Sequence, residues 1–201
     1  MPTTDDEIVA ETYAERARLV RLLEELEPEQ WQHPSLCRGW RVREVLAHMT
    51  MPYRGSKAGF LGGLVKARFS FDRYADRDAR AATASMPDTA LVALLRDNIR
   101  HPWRPPGGGQ TGALNHDVIH GLDMTEPLGL SRPPAERVAL ALRDSGPRNL
   151  RYFGVDLGGS RLVATDADVT IGEGHEVHLP VTDLLLIVTG RRALAAVTGK
   201  E

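Results

Sequence analysis

His116 and His120 stand four residues apart in a stretch with helical periodicity. That spacing puts both imidazoles on one helix face, one turn apart, where two neutral rings can share a divalent ion. In a chain with seven histidines such a pair also arises by chance, and two polar residues near a helix surface are the plain alternative. His48 strengthens the case. It lies in Val45-Leu46-Ala47-His48-Met49, an apolar run where a histidine is out of place. A core histidine with its hydrogen bonds satisfied is the competing reading. If the helices form a bundle, His48 can meet the other two in its core. Three histidines with an open position are the catalytic kind of zinc site.

Other residues could act around such a centre. Asp123 follows His120 by three positions, on roughly the same face, and could orient a ligand imidazole by accepting its second ring N–H. The alternative is an ordinary residue of the helix's last turn. Asp117 is one position off that face, a candidate general base or a solvent-facing carboxylate. Cys37 is the single cysteine. No histidine is placed by the sequence to activate it, so a packed small residue is expected. Arg54, Arg100 and Arg104 are candidates for holding acidic substrate groups, with solvated helix faces as the alternative. GGGQTG at 107–112 has the outline of a phosphate loop. The preceding HPWRPP cannot be a central strand, so the segment reads as a flexible loop leading into the histidine helix. His175 and His178 read as surface residues. Trp31, Trp40 and Trp103 read as staples between loops and core, and Trp103 is also a candidate for a pocket mouth.

The elements that must position these residues follow from periodicity. A first helix is expected over 5–26, with Ile8, Tyr13, Ala17, Val20, Leu23 and Leu26 on one face and Pro28 ending it. A loop spans 32–40. A second helix runs from about Val42 past His48 toward Arg68, with a kink or break at Pro52 and Gly55. Residues 70–86 have only weak helical character. Asp88 is the expected cap of a helix reaching about Arg100. The histidine helix should cover about 111–124, and Pro133-Pro134 should open another to about Leu150. After Tyr152 two strands at 161–165 and 168–171 join through a tight Asp-Ala turn, a third is expected at 176–179, and two short helices cover 181–189 and 191–197. A boundary near 152 thus separates a helical body, 1–152, from a small α+β region, 153–201.

Bulk properties exclude several classes. The chain has 201 residues, a net charge of -2, 42% hydrophobic and 26% charged residues, and a sequence pI near 6.4. This suits a soluble globular chain and lacks the basic face that nucleic acid requires. No apolar run reaches the ~18 residues of a membrane span. The acidic N-terminus is no signal peptide. One cysteine permits no disulfide within the chain, which fits a reducing cytoplasm.

Ser35-Leu36-Cys37-Arg38-Gly39-Trp40-Arg41-Val42-Arg43-Glu44-Val45-Leu46-Ala47-His48 closely resembles the C-x-G-W-x-V-x-x-V-x-x-H stretch of the mycothiol-dependent maleylpyruvate isomerase family, within the DinB-like superfamily. His116-Asp117-Val118-Ile119-His120-Gly121-Leu122-Asp123 resembles its second motif, a helix ending in H-G-x-D. Segments 162–168 and 184–191 are similar to C-terminal regions of actinobacterial relatives. The resemblance implies a mainly α fold, a DinB-like up-down four-helix bundle with the small α+β appendage. It also implies one divalent metal held by His48, His116 and His120, zinc fitting best and nickel or iron also suited. The isomerase has a glutamate where this chain has His116, a departure that keeps a metal site and counts against maleylpyruvate as the substrate. Arg41 stands where the family usually has a helix-capping threonine, so a looser helix start is expected.

The function implied is a metal-dependent thiol S-transferase or isomerase. Mycothiol or a similar thiol would be its cosubstrate and a small electrophile its second partner. A non-catalytic metal- or ligand-binding bundle is the alternative. Neither nucleic acid nor membrane is expected as a partner, and a homodimer is left open.

Overall fold

The computed structural model describes residues 4–198. Among them are eleven helices and a three-stranded sheet. In chain order these are α1 (Asp5–Glu24), α2 (Pro28–Trp31), α3 (Val42–Arg54), α4 (Lys57–Lys66), α5 (Phe71–Ser85), α6 (Asp88–Asp97), α7 (Gly109–Thr125), α8 (Ala135–Leu142) and α9 (Pro147–Phe153). There follow β1 (Ser160–Ala164), β2 (Thr170–Gly172), β3 (His175–Leu179), α10 (Val181–Val188) and α11 (Ala195–Thr198). The mainly helical fold with a small C-terminal sheet is the one expected. No helix among the described residues is long and apolar enough to cross a membrane.

The chain divides into two compact units. One holds the residues up to Thr12, Arg104–Ile119 and those from Ser131 on; the other holds Tyr13–Trp103 and His120–Leu130. α1 and α7 each contribute to both. The change from helices to strands after α9 falls inside the first of these units.

In the second unit α3 packs on α5 and α6, and α4 on α5. Leu19, Leu23, Trp31, Val42, Val45, Leu46, Met49, Leu91, Leu95 and Met124 form its core. α3 buries every residue from Glu44 to Thr50. Its start is firmer than Arg41 suggested. The Glu44 carboxylate accepts the Arg41 backbone N–H at 2.9 Å and its guanidinium at 2.5–2.9 Å, which replaces the missing threonine cap. Pro52 is absorbed in the helix's last turn, and the break falls at Gly55, after which Ser56 caps α4.

Several boundaries differ from expectation for physical reasons. Pro28 opens the short α2 instead of only ending α1, because its fixed φ suits a first helical position. Residues 71–85 form a full helix, capped by Ser70 and buried through Ala75, Ala79 and Ala82. Small side chains give a weak hydrophobic signal while permitting close approach. Asp88 is not the cap of α6. Pro87 holds that position in extended conformation, with Asp88 in the first turn.

In the first unit the helix expected over 133–150 is two, α8 and α9, with Gly146-Pro147 opening the second. The sheet order is β2-β1-β3, with β1 antiparallel to β2 and parallel to β3. Leu162, Ile171 and Leu179 are buried, and α10, buried over nearly its whole length, packs on β1. Gly174 (φ +110°) lets the chain turn into β3; a Cβ there would lie 1.9 Å from the Gly159 carbonyl oxygen.

Candidate metal centre

His48 is carried by α3 and is 6% exposed. Its ring lies 4.9 Å from that of His120, at 78°. Trp40 flanks it at 5.3 Å, and Phe71, the first residue of α5, approaches edge-on at 6.3 Å. The indole N–H of Trp40 donates to Asp76 at 2.8 Å. Asp76 also accepts from Arg80 at 2.9 Å. The Arg80 guanidinium, and then the indole, hold the Asp76 carboxyl below the usual carboxylate range. Glu44, one turn before His48, is pushed up by burial, but the Arg41 side chain and backbone and the Thr83 hydroxyl outweigh this and hold it low.

α7 brings His120 to this place. Gly121, the next residue, faces α1 so closely that an added Cβ would meet Leu19 at 3.0 Å and Glu15 at 3.1 Å. The Asp123 carboxylate, 0% exposed, lies 2.9 Å from His120 Nδ1. An ionised carboxylate only accepts, so this contact places the N–H on Nδ1 and leaves Nε2 as the basic nitrogen. The role expected of Asp123, orienting the ring, has the required geometry.

Cys37 departs from expectation. Its thiol donates to the same Asp123 oxygen at 3.0 Å and lies 3.8 Å from His120 Nδ1. The loop gets there because Leu36 N–H donates to the Asp123 carbonyl at 3.0 Å. Within the loop the Ser35 hydroxyl donates to Trp40 O at 2.8 Å and accepts Cys37 N–H at 3.1 Å. A lone cysteine in an aperiodic loop gives no sequence signal for this. The family motif, which joins that cysteine to His48, was the one available hint.

His116 precedes His120 by one turn of α7, and its Nδ1 lies 2.9 Å from Asp117 Oδ1. Asp117 is 3% exposed, so it is a buried partner of His116 rather than a solvent-facing carboxylate. The ligand-capable atoms of Cys37, His120 and Asp123 lie within 4.8 Å of one another, beside the His48 ring that meets His120 at 4.9 Å. Two imidazoles so grouped match the donor chemistry of zinc and its borderline neighbours.

Arg54 donates to Asp78 at 2.6 Å and to the Ala47 carbonyl at 2.7 Å. Arg100 and Arg104 are exposed. Trp31 is buried and Trp40 half-buried against the core, as expected of staples; Trp103 is half-buried, its N–H on His101 Nδ1 at 3.1 Å. Part of the Gly-rich segment is already helix, since α7 starts at Gly109. His175 and His178 are exposed, as expected.

Residues 13–102 match the family model of the mycothiol maleylpyruvate isomerase N-terminal domain. That span contains Cys37, Trp40 and His48, and it bears out the resemblance read from the 35–48 motif. The chain is also similar to the crystal structure of a histidine-to-alanine mutant of the mycothiol-dependent maleylpyruvate isomerase. The TM-score is 0.62 at 11% identity, over 95% of this chain and 91% of that one. At that identity the likeness is one of fold. None of the curated proteins matches the chain in sequence.

Proposed function

From a chain whose residues 13–102 match the mycothiol maleylpyruvate isomerase N-terminal domain, we infer a divalent-metal-dependent thiol S-transferase or isomerase acting on a small electrophile. The observation that carries this reading is the meeting of the His48 and His120 rings at 4.9 Å, with the buried Asp123 carboxylate on His120. His48, His120 and, one turn earlier on α7, His116 would hold the ion, zinc fitting best and nickel or iron also suited. A bound dication would supply Lewis acidity, keeping a thiol such as mycothiol in its thiolate form near neutral pH.

The protein's own residues do the rest. Asp123 accepts the Nδ1–H of His120, which fixes the ring and keeps Nε2 free to bind. Trp40 and Phe71, packed beside His48, exclude water from its ring and hold its orientation. Asp117, paired with His116, has the matching position on the neighbouring histidine. The cosubstrate's thiolate would attack the electrophile, adding to an activated double bond for isomerisation or displacing a group for transfer. The single cysteine fits a cytoplasmic setting, which belongs to the same proposal, as does a homodimer.

The test is metal content of protein purified without a histidine tag, for wild type and His120→Ala. About one ion per chain is expected in wild type, lost in the variant while the helical signal stays. A mycothiol conjugation assay on the loaded protein then separates an enzyme from a binding bundle. No ion in wild type, even with excess zinc, overturns the reading.

A further inference from the structure

A second set of donors converges on His120. Cys37 Sγ, His120 Nδ1 and Asp123 Oδ2 lie 3.8, 3.0 and 2.9 Å apart, taken as sulfur to nitrogen, sulfur to oxygen and nitrogen to oxygen. Around a tetrahedral zinc-sized ion the same three edges would be about 3.6, 3.5 and 3.3 Å, from typical bond lengths of ~2.3 Å to sulfur and ~2.0–2.1 Å to nitrogen and oxygen. Each edge is thus within about half an ångström of a ligating arrangement. The donors also suit a dication by charge. A thiolate and a carboxylate neutralise it, which matters where Asp123 is 0% exposed.

We propose that Cys37, His120 and Asp123 form a second cation site, selective for a thiophilic ion, which shares His120 with the three-histidine group. The site rests on the proposed function only through that shared residue. Its occupation has a definite proton balance. The thiol loses its proton to solvent, and the proton on His120 Nδ1 moves to Nε2, freeing the Nδ1 lone pair for the ion. One proton is released per ion bound when the three-histidine group is empty. A neutral imidazole has one lone pair, so His120 serves one set at a time. The two sites therefore exclude each other, and they sort ions by softness. Thiolate favours the softer ion, such as cadmium, while three imidazoles suit zinc and cobalt. A thiophilic ion would compete for the shared histidine and displace the other ion from the centre.

The experiment titrates the full-length apoprotein with cadmium(II), followed by the sulfur-to-metal charge-transfer band in the ultraviolet, in wild type, Cys37→Ser and His48→Ala. A parallel titration with cobalt(II) follows its visible bands, which report any tetrahedral site. The expected result is a cadmium–thiolate band saturating at one ion per chain in wild type and in His48→Ala, and absent in Cys37→Ser. Cadmium should also bleach the visible bands of the cobalt-loaded wild type and leave those of cobalt-loaded Cys37→Ser. No thiolate band in wild type overturns the second site. If cobalt still gives visible bands that vanish in His48→Ala and persist in Cys37→Ser, the three-histidine reading stands alone. Absence of both signals sinks both readings.

Discussion

At the scale of single residues the centre depends on Asp123. Its carboxylate is wholly buried and accepts from both His120 and Cys37, so it settles which nitrogen of His120 is basic. Replacing it with asparagine keeps the shape but removes the charge that favours this tautomer. Asp123→Asn is expected to weaken metal binding by roughly 10–100-fold, the usual effect of losing a ligand's hydrogen-bond partner; competition with a calibrated chelator measures it. Unchanged affinity would mean that the contact does not tune His120. Asp123 and His48 were legible in the sequence, one by its helical offset from His120 and one by its incongruous surroundings. The burial of Asp117 and the arrival of Cys37 were not. Both depend on how the chain crosses itself, and periodicity carries no information about that.

At the scale of elements, α3 and α7 set the geometry. The start of α3 is tied by Glu44, whose carboxyl is held low by Arg41 and Thr83 against the opposing effect of burial. A folded-state value below the unfolded one means that this stabilisation is complete above the ordinary glutamate range and is lost as pH falls through the folded value. Wild type should therefore lose thermal stability on acidification below about pH 4, and Glu44→Ala should lose less while starting about 1–3 kcal/mol lower at neutral pH. Melting curves across that range test the sign. In α7, Gly121→Ala gains intrinsic helix propensity of about 1 kcal/mol. It also forces Leu19 and Glu15 to yield from 3.0–3.1 Å contacts, and Glu15 is pinned by Arg18 at 2.5 Å. We expect net destabilisation of about 1–3 kcal/mol by chemical denaturation; a gain in stability would show that α1 gives way easily. α5 illustrates the opposite limit of legibility. Its buried face is alanine and threonine, so the sequence shows no apolar stripe where the structure has a helix.

At the scale of the whole molecule, the chain has no single cut. Its compact units interleave in sequence, and α1 and α7 each serve both. Composition and periodicity could announce the helices and the small sheet, because those signals are local. Membership of a unit is set by long-range packing and leaves no local mark. The buried core cluster, drawn from α1–α3, α5, α6 and the end of α7, is built from apolar side chains and includes none of His48, His120 and Asp123, so the fold is expected not to require the ion. Chelation should leave the helical signal intact and lower stability only by binding linkage, roughly 2.7 kcal/mol when the ion had been present at 100 times its dissociation constant. Collapse of the helical signal on chelation would make the ion structural instead. The sheet has its own requirement. Gly174→Ala would drive a Cβ into the Gly159 carbonyl and place alanine at φ +110°, so a loss of more than about 2 kcal/mol is expected. A variant as stable as wild type would show that this turn can reshape.

The indole of Trp40 lies against His48 and shares its N–H with Asp76. A ring at 5.3 Å from an imidazole senses that neighbour's electronic state in its excited state. Light emitted by this side chain should then shift in intensity whenever the adjacent histidine gains a proton or an ion. Trp31, embedded in the apolar core, and the half-buried Trp103 supply the background emission. The protein thus carries its own optical gauge, readable without any label.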